Sequence, residues 1–516
     1  MKVMKSVKKY IIAVTALLLC ICLALTITPD QSREPDVTEE TQEDTTAPAI
    51  QKNISLGYYA DSSLNPFLTD SPTNRSIASL VFDSLYVLDK SYKPVPLIAE
   101  AGELSGNTLT VRIKEGLLFS NGAPVTASDV AYSFTTAKQS AFYSQRLSNF
   151  VSAVPTADSV IFTLGSPDIF AESALTFPIV LSSTGSNEMP IGSGRYEAGY
   201  DDNGKFLKAN ADNTRGESLL TEKILLKSIT ADESELYLLQ SGDLSYYFND
   251  LSQGEYTKIG ANTVQLSLNN MVFIGINGTS SEVMADPYVK NAVASAINTK
   301  TIADSVFSSM CRHSSLPFNP DWYATASLSF DSEEPSLTRA REHLENGGYI
   351  YAYEDNKYRS KEFEFLQLRI AVSKDSSQKL QCAEYIHDTL ESIGIDAELM
   401  ALSYEDYITA LEEGEFDLYV GEVILPPNMD LSAFFSEDGS LSYGIDNNST
   451  VAASYGAFSA GTTDISTFAR VFDAEKPFIP ICFRDGVAYF SREFTFSGDI
   501  TEYEPFMNAA SWKIIY

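Results

Sequence analysis

From Ile54 onward, short apolar runs alternate with segments of helical period. LTVRIKEG at 109–116 alternates with period two and stops at Gly116, which reads as a strand and its turn. Thr126 stands three residues before Asp129 at the head of VAYSFTTAKQS, so a helix is expected there behind a capping box, with Asp in place of the usual Glu. VIFTL (160–164) and KILLKSI (223–229) read as strands, and ESELYLLQSGD as a helix leading into LSYYF. A second series begins near residue 270. NMVFIGING (270–278) is an apolar strand closed by Asn-Gly. In 286–307, Val289, Ala292, Val293, Ala296 and Ile297 recur at helical spacing behind Pro287, which predicts one helix. SLTRAREHLENGGY predicts a helix stopped by Gly-Gly. LQLRIAVS, QKLQCAEYIHDTLESIG, IDAELMAL, YEDYITALEEG and FDLYVGEV then run strand, helix, strand, helix, strand. Each helix is long enough for a crossover, so a largely parallel sheet with helices on both faces is expected. FIPICFRDGVAYF (478–490) predicts a late strand pair. The pattern is that of an α/β protein with mixed sheets flanked by helices.

Ahead of this body lies a different kind of segment. Lys2, Lys5, Lys8 and Lys9 precede an almost wholly apolar run from Tyr10 to Thr28, an export signal. At ~1.5 Å per residue that run covers about 28 Å as a helix, enough for a bilayer core. Leu19 precedes Cys20 and Ile21 precedes Cys22, where a lipid-modified cysteine would follow a small residue; Ala24-x-Thr26 is the alternative, a cleavage site. A retained or lipid-linked anchor is the expectation, with localisation on the outer face of the cytoplasmic membrane, or else in the periplasm or extracellular space. Residues 29–50 are acidic and Thr-rich without apolar period, and read as a solvated spacer.

The chain has 516 residues, too many for one hydrophobic core and enough for two or three domains. Its formal net charge of −33 repels phosphate backbones, which argues against nucleic acid, and repels anionic lipid, so membrane contact requires the anchor. Of five cysteines, two are in the leader. Cys311, Cys382 and Cys482 are far apart with no C-x-x-C, so neither a zinc site nor a disulfide framework is indicated. H-E-x-x-H, G-x-S-x-G and Walker-type loops are absent from the sequence. Gly192-Ser193-Gly194 lacks the Lys and helix of a phosphate loop and reads as a turn. His313, His343 and His387 are isolated. No catalytic residue, metal or cofactor is expected.

Eight segments, in order, resemble the family-5 extracellular solute-binding proteins, the oligopeptide, dipeptide and nickel receptors of ABC importers. They include SLNPF (63–67), LVFDSLYVLDKSYKPVPLIAE (80–100) and TLTVRIKEGLLFSNGAPVTASDVAYSF (108–134), the last being the most diagnostic. PIGSGRYE (190–197) resembles a Pro-x-Gly-Thr-Gly-Pro-Tyr segment, with Arg195 at the second Pro. LQSGDLSYYF (239–248), DPYVKNAVASAIN (286–298), IHDTLESIGIDAEL (386–399) and GEFDLYVGEV (414–423) complete the series.

The resemblance implies a two-lobed fold like that of type II periplasmic binding proteins. Lobe I would be built from 51–67, 190–268 and 488–516, with a subdomain inserted at 68–189. Lobe II would be 269–487, with hinges near 268–270 and 486–489. The implied function is a monomeric receptor that closes on a peptide or similar polar solute and delivers it to ABC permease subunits; a ligand-binding sensor or scaffold is the alternative. Peptide receptors of the family often carry Gly-Trp-x-Ala-Asp after the FDLYVGEV-type strand, the Asp pairing with the ligand's amino group. Here Glu422 stands at the Trp place and Leu425 at the Asp place, after Gly421 and Val423. Glu422 is either the anion for an amino group or a strand-end surface acid. Asp430, beyond the Pro-Pro turn, is a second candidate anion. On the facing lobe, Asp61 and Ser62 align with a ligand-lining strand and Tyr143 with an aromatic wall, and Arg484 is placed to meet a carboxylate.

Overall fold

The computed structural model describes residues 53–252, 256–330, 332–360 and 362–515. The export signal and spacer expected over 1–50 lie outside them. No helix among the described residues is long and apolar enough to cross a membrane.

The fold is two-lobed α/β, carried by three larger sheets. In one four-stranded sheet, Ile54–Tyr59 pairs in parallel with Lys223–Ile229, followed by Gly204–Ala209 and Tyr196–Asp201. A second four-stranded sheet, antiparallel throughout, orders Ala99–Ser105, Thr108–Ile113, Ser159–Leu164 and Phe150–Pro155. The helix Ala127–Gln139 packs on it behind the expected capping box: the Asp129 N–H donates to Thr126 Oγ1 at 3.3 Å and the Thr126 N–H to Asp129 Oδ2 at 3.1 Å. These sheets share one core, in which Phe119, Phe162, Phe177 and Trp512 are fully buried.

The third sheet has seven strands. Its main path runs Tyr246–Asp250, Phe478–Phe490, Asn262–Ile276, Leu418–Ile424, Gln367–Ser373, Asp396–Leu402, with Cys311–His313 also paired to Phe478–Phe490. Gln367–Ser373 is parallel to both Asp396–Leu402 and Leu418–Ile424, as strand–helix–strand crossovers require, while the two long strands are antiparallel. Alternate residues of Asn262–Ile276 feed separate cores: Val272, Ile274 and Ile276 on one face, Met271 and Phe273 on the other. Burial on both faces explains why 271–276 reads as an unbroken apolar run.

Four sequence expectations change. The sheet expected to be largely parallel is parallel only where Gln367–Ser373 meets Asp396–Leu402 and Leu418–Ile424; its other four pairings are antiparallel, because the long strands Asn262–Ile276 and Phe478–Phe490 join it without crossover helices. The strand expected to begin at 270 begins at Asn262; its first residues are polar and exposed, and so carry no apolar signal. The helix expected over 286–307 is two helices, Pro287–Ala296 and Thr299–Val306. Ile297 is extended, and the Asn298 side chain accepts from the Thr301 N–H at 2.9 Å, starting a new helix where the period alone would continue the old one. Residues 478–490 form one strand rather than a pair, because it pairs with Met271–Gly275 near its start and with Tyr246–Asp250 at its end.

The Gly192-Ser193-Gly194 segment is explained by close approach. A Cβ on Gly192 would lie 2.0 Å from the Val81 carbonyl oxygen, and the Gly194 N–H donates to that same oxygen at 2.9 Å. The segment thereby covers the C-terminal end of the helix Pro72–Val81.

Candidate functional site

The two long strands run from one hydrophobic core into another: Leu266, Ala488 and Phe490 belong to the first, Val272, Ile274 and Ile481 to the second. Their mutual register shifts between Ser267 and Met271. Buried amides surround that point. Asn319, fully buried, donates from Nδ2 toward Asn269 Oδ1 (3.0 Å), Ser267 Oγ (3.1 Å) and Leu268 O (3.2 Å), while its Oδ1 accepts from the Asp321 N–H (3.0 Å). Tyr92 Oη donates to Ser267 O at 2.8 Å, and the Asn269 N–H donates to Glu502 Oε2 at 3.0 Å. Every polar atom of this crossing therefore needs a specific partner.

A cavity of about 400 Å³ opens beside it. One wall is the end of the strand Leu418–Ile424 and the turn after it: Ile424, Leu425, Pro426 and Pro427. The rest of the lining includes three separate stretches of the chain. The helix Pro72–Val81 supplies Arg75, the 141–146 segment supplies Phe142, Tyr143 and Arg146, and the C-terminal region supplies Glu502 and Tyr503. Arg75 sits 3.9 Å above the Phe142 ring centroid; Arg146 lies 5.3 Å from the same ring and 5.0 Å from that of Tyr503, and donates to Thr176 Oγ1 at 2.8 Å. Burial raises Glu502 to about 7, against the Asn269 N–H bond that lowers it; nearby Asp250 raises it further and Arg146 lowers it.

Of the nine sequence candidates, Tyr143 and Leu425 line this cavity. Tyr143 is buried edge-on to Phe142 (4.9 Å) and Phe67 (6.2 Å). Leu425 is buried and its N–H donates to Asn269 O at 2.8 Å. The other seven do not line it. Glu422 is neither an open anion nor a surface acid: it pairs with Lys379 at 3.0 Å and Arg484 at 3.3 Å. Arg484 is buried, also bonds Gln378 Oε1 (2.8 Å) and Leu251 O, and lies over the Phe307 ring. Gly421 leaves room for the Phe273 ring, which a Cβ would meet at 2.5 Å, and Val423 packs against the same aromatic core. Asp430 accepts from Tyr455 Oη (2.7 Å) and the Ser432 N–H (2.9 Å). Ser62 donates to Asp70 Oδ1, and Asp61 is exposed. Arg75, Arg146 and Glu502 were not singled out by sequence reasoning; the available signal was the scarcity of basic residues in so acidic a chain.

Among the described residues, no group of three or more His, Cys, Asp or Glu side chains is arranged to hold a metal ion.

Residues 93–444 match the family described as Bacterial extracellular solute-binding proteins, family 5 Middle. The oligopeptide-binding protein AppA of Bacillus subtilis (strain 168) is 22% identical over 396 residues, which are 72% of this chain and 70% of AppA. The glutathione-binding protein GsiB of Escherichia coli (strain K12) is 22% identical over 360 residues, 66% of this chain and 67% of GsiB. Among solved structures, a nickel ABC transporter from Bacillus halodurans superposes with a TM-score of 0.71 at 16% identity, covering 88% of this chain and 98% of that one, a likeness of fold. With the family match spanning more than half its length, this chain belongs to the family-5 bacterial extracellular solute-binding proteins, substrate-binding receptors of ABC import that act outside the cytoplasmic membrane and are not enzymes.

Proposed function

We propose that this receptor closes on a small peptide or peptide-sized polar solute in the cavity beside the strand crossing, and hands it to an ABC import permease. The observation that carries this reading is that the cavity is lined both by 424–427 and by the distant stretches 72–84, 141–146 and 501–505. A solute touching both walls makes its full set of contacts only when they are together, so it shifts the open–closed equilibrium by its differential affinity. The volume lies at the small end of the range for ligand pockets, roughly 300–1,000 Å³, which favours short solutes over extended chains. The names of two relatives, for oligopeptides and for glutathione, support a peptide-type solute.

In this reading lobe I comprises 51–67, 190–268 and 488–516, the inserted subdomain 68–189, and lobe II 269–487. The hinges are at 268–270 and 486–489, where the long strands pass between lobes. The receptor works as a monomer, held at the outer face of the membrane by its N-terminal segment.

The test is a thermal melt of the folded body with pooled di- and tripeptides, paired with solution scattering. A bound solute at a hundred times its Kd stabilises by about 2.7 kcal/mol, so Tm rises, and the radius of gyration falls as the lobes close. A melt unmoved by every pool, with unchanged scattering, would remove the support for this reading.

A further inference from the structure

We propose that the cavity recognises its solute through an oxyanion, a carboxylate or a phosphate group, gripped by Arg75 and Arg146. This rests on the cavity being the solute site, and adds which chemical end is read and which lobe reads it.

Acids outnumber bases in this chain, 69 Asp and Glu against 36 Lys and Arg. Carboxylate partners are therefore plentiful, and buried arginines have them: Arg195 pairs with Glu217 at 2.5 Å, Arg215 with Asp83 at 3.0 Å and Arg484 with Glu422 at 3.3 Å. Arg75 and Arg146 are half-buried on the cavity wall, and among the described residues neither makes an ion pair. Their partners are neutral: the carbonyls of Thr69 and Asp70 for Arg75, the Thr176 hydroxyl for Arg146, and the shared Phe142 ring. Ring stacking holds a guanidinium by its face and leaves its in-plane N–H groups free to fork onto an oxyanion. Placing two cations around one ring has a cost: burial, and then Arg146, pull Arg75 below its usual range, against Tyr143 and Asp70, which raise it. A counter-charge from the solute offsets that cost.

The facing wall points to the same end of the ligand. Ile424, Leu425, Pro426 and Pro427 bring no charged side chain, and the nearby carboxylate of Glu422 is already bound by Lys379 and Arg484. Charge recognition thus falls to the first lobe. Glu502 shares the cavity, with one carboxylate oxygen engaged by the Asn269 N–H.

The experiment compares four probes by thermal shift and calorimetry: a di- and tripeptide pool with free C-termini, the same pool C-terminally amidated, inorganic phosphate, and spermidine. The free-carboxylate pool is expected to raise Tm and the amidated pool to fail. Arg146→Gln should weaken binding more than tenfold, with Arg146→Lys recovering part of it. Arg75→Gln serves as the second variant should Arg146→Gln not fold. A shift by phosphate that is lost in Arg146→Gln supports the oxyanion grip with phosphate as its source. Equal shifts by the free and amidated pools, or a shift by spermidine, retained in both Gln variants, would overturn the oxyanion grip and leave the receptor reading standing. Silence from all four probes counts against both.

Discussion

Asp168 and Asn428, 260 residues apart in sequence, meet through a 2.7 Å hydrogen bond from Asn428 Nδ2 to Asp168 Oδ2. Both side chains are buried. The bond joins the Pro167–Phe170 stretch to the turn after the strand Leu418–Ile424, and neighbouring contacts reinforce it. The Ile169 N–H donates to Ser459 O at 2.9 Å, and the Phe170 ring packs 4.7 Å from Trp322 and 5.3 Å from Phe458. The 167–170 stretch, which follows the strand Ser159–Leu164, is thus seated in an aromatic socket formed by Phe318, Trp322 and Phe458.

Burial raises Asp168 from its ordinary 3.8 to about 6, although the bonds from Asn428 and the Phe170 N–H pull the other way. A carboxyl whose folded pKa exceeds its unfolded one holds its proton more tightly when folded. The stability it confers is complete below about pH 4 and is lost as pH rises through about 6. A rise of that size is worth roughly 3 kcal/mol. Asp168→Asn removes this dependence at a constant cost, since its single oxygen can accept from Asn428 or from the Phe170 N–H but not from both. Urea unfolding should show the variant gaining on the native protein by up to about 3 kcal/mol between pH 4 and pH 7. A constant difference across that range would show that Asp168 titrates as an exposed acid.

Removing one member of a buried ion pair strands the other. Glu422→Gln leaves Arg484 with Gln378 and the Leu251 carbonyl but no counter-charge. The expected loss is about 3 kcal/mol, read as a fall in the denaturant midpoint. Solute affinity should move less than threefold, because Glu422 does not line the cavity. A large loss of affinity with unchanged stability would make Glu422 a ligand group instead.

Gly192 stands where a side chain has no room. Gly192→Ala would push a methyl into the Val81 carbonyl, 2.0 Å away, and backbone cannot step aside as a side chain can. Overpacking of this kind costs ~1–3 kcal/mol or more. Gly456, whose Cβ would meet nothing within 4 Å, provides the control: Gly456→Ala, on the helix Thr450–Ser459, should stabilise by about 0.5–1 kcal/mol. Thermal melts of the two variants should therefore shift in opposite directions.

Asn319 secures the strand crossing. Asn319→Ala leaves Asn269 Oδ1 and Ser267 Oγ short of a buried partner, at ~1–3 kcal/mol. Hydrogen exchange should quicken at 266–271 before it does so in the strand Gln367–Ser373. Uniform acceleration throughout the chain would mean that the amide contributes only to global stability.

The sequence by itself determined the α/β class, the crossover order of 367–424, the capping box at Thr126 and the family, because each rests on local period, local caps or motifs contiguous in the chain. Tyr143 and Leu425 were reachable in the same way. Tertiary structure alone decided the rest. Whether Glu422 is open or paired depends on Arg484 and Lys379, which approach it from other elements, and hydropathy carries no record of such pairing. The break at Asn298 depended on a side chain competing with the backbone, against an apolar period that continued across it. Arg75 and Arg146 acquire their meaning from one shared ring and the lack of an ion-paired carboxylate among the described residues, and proximity between a helix and a distant segment is set only when the chain folds.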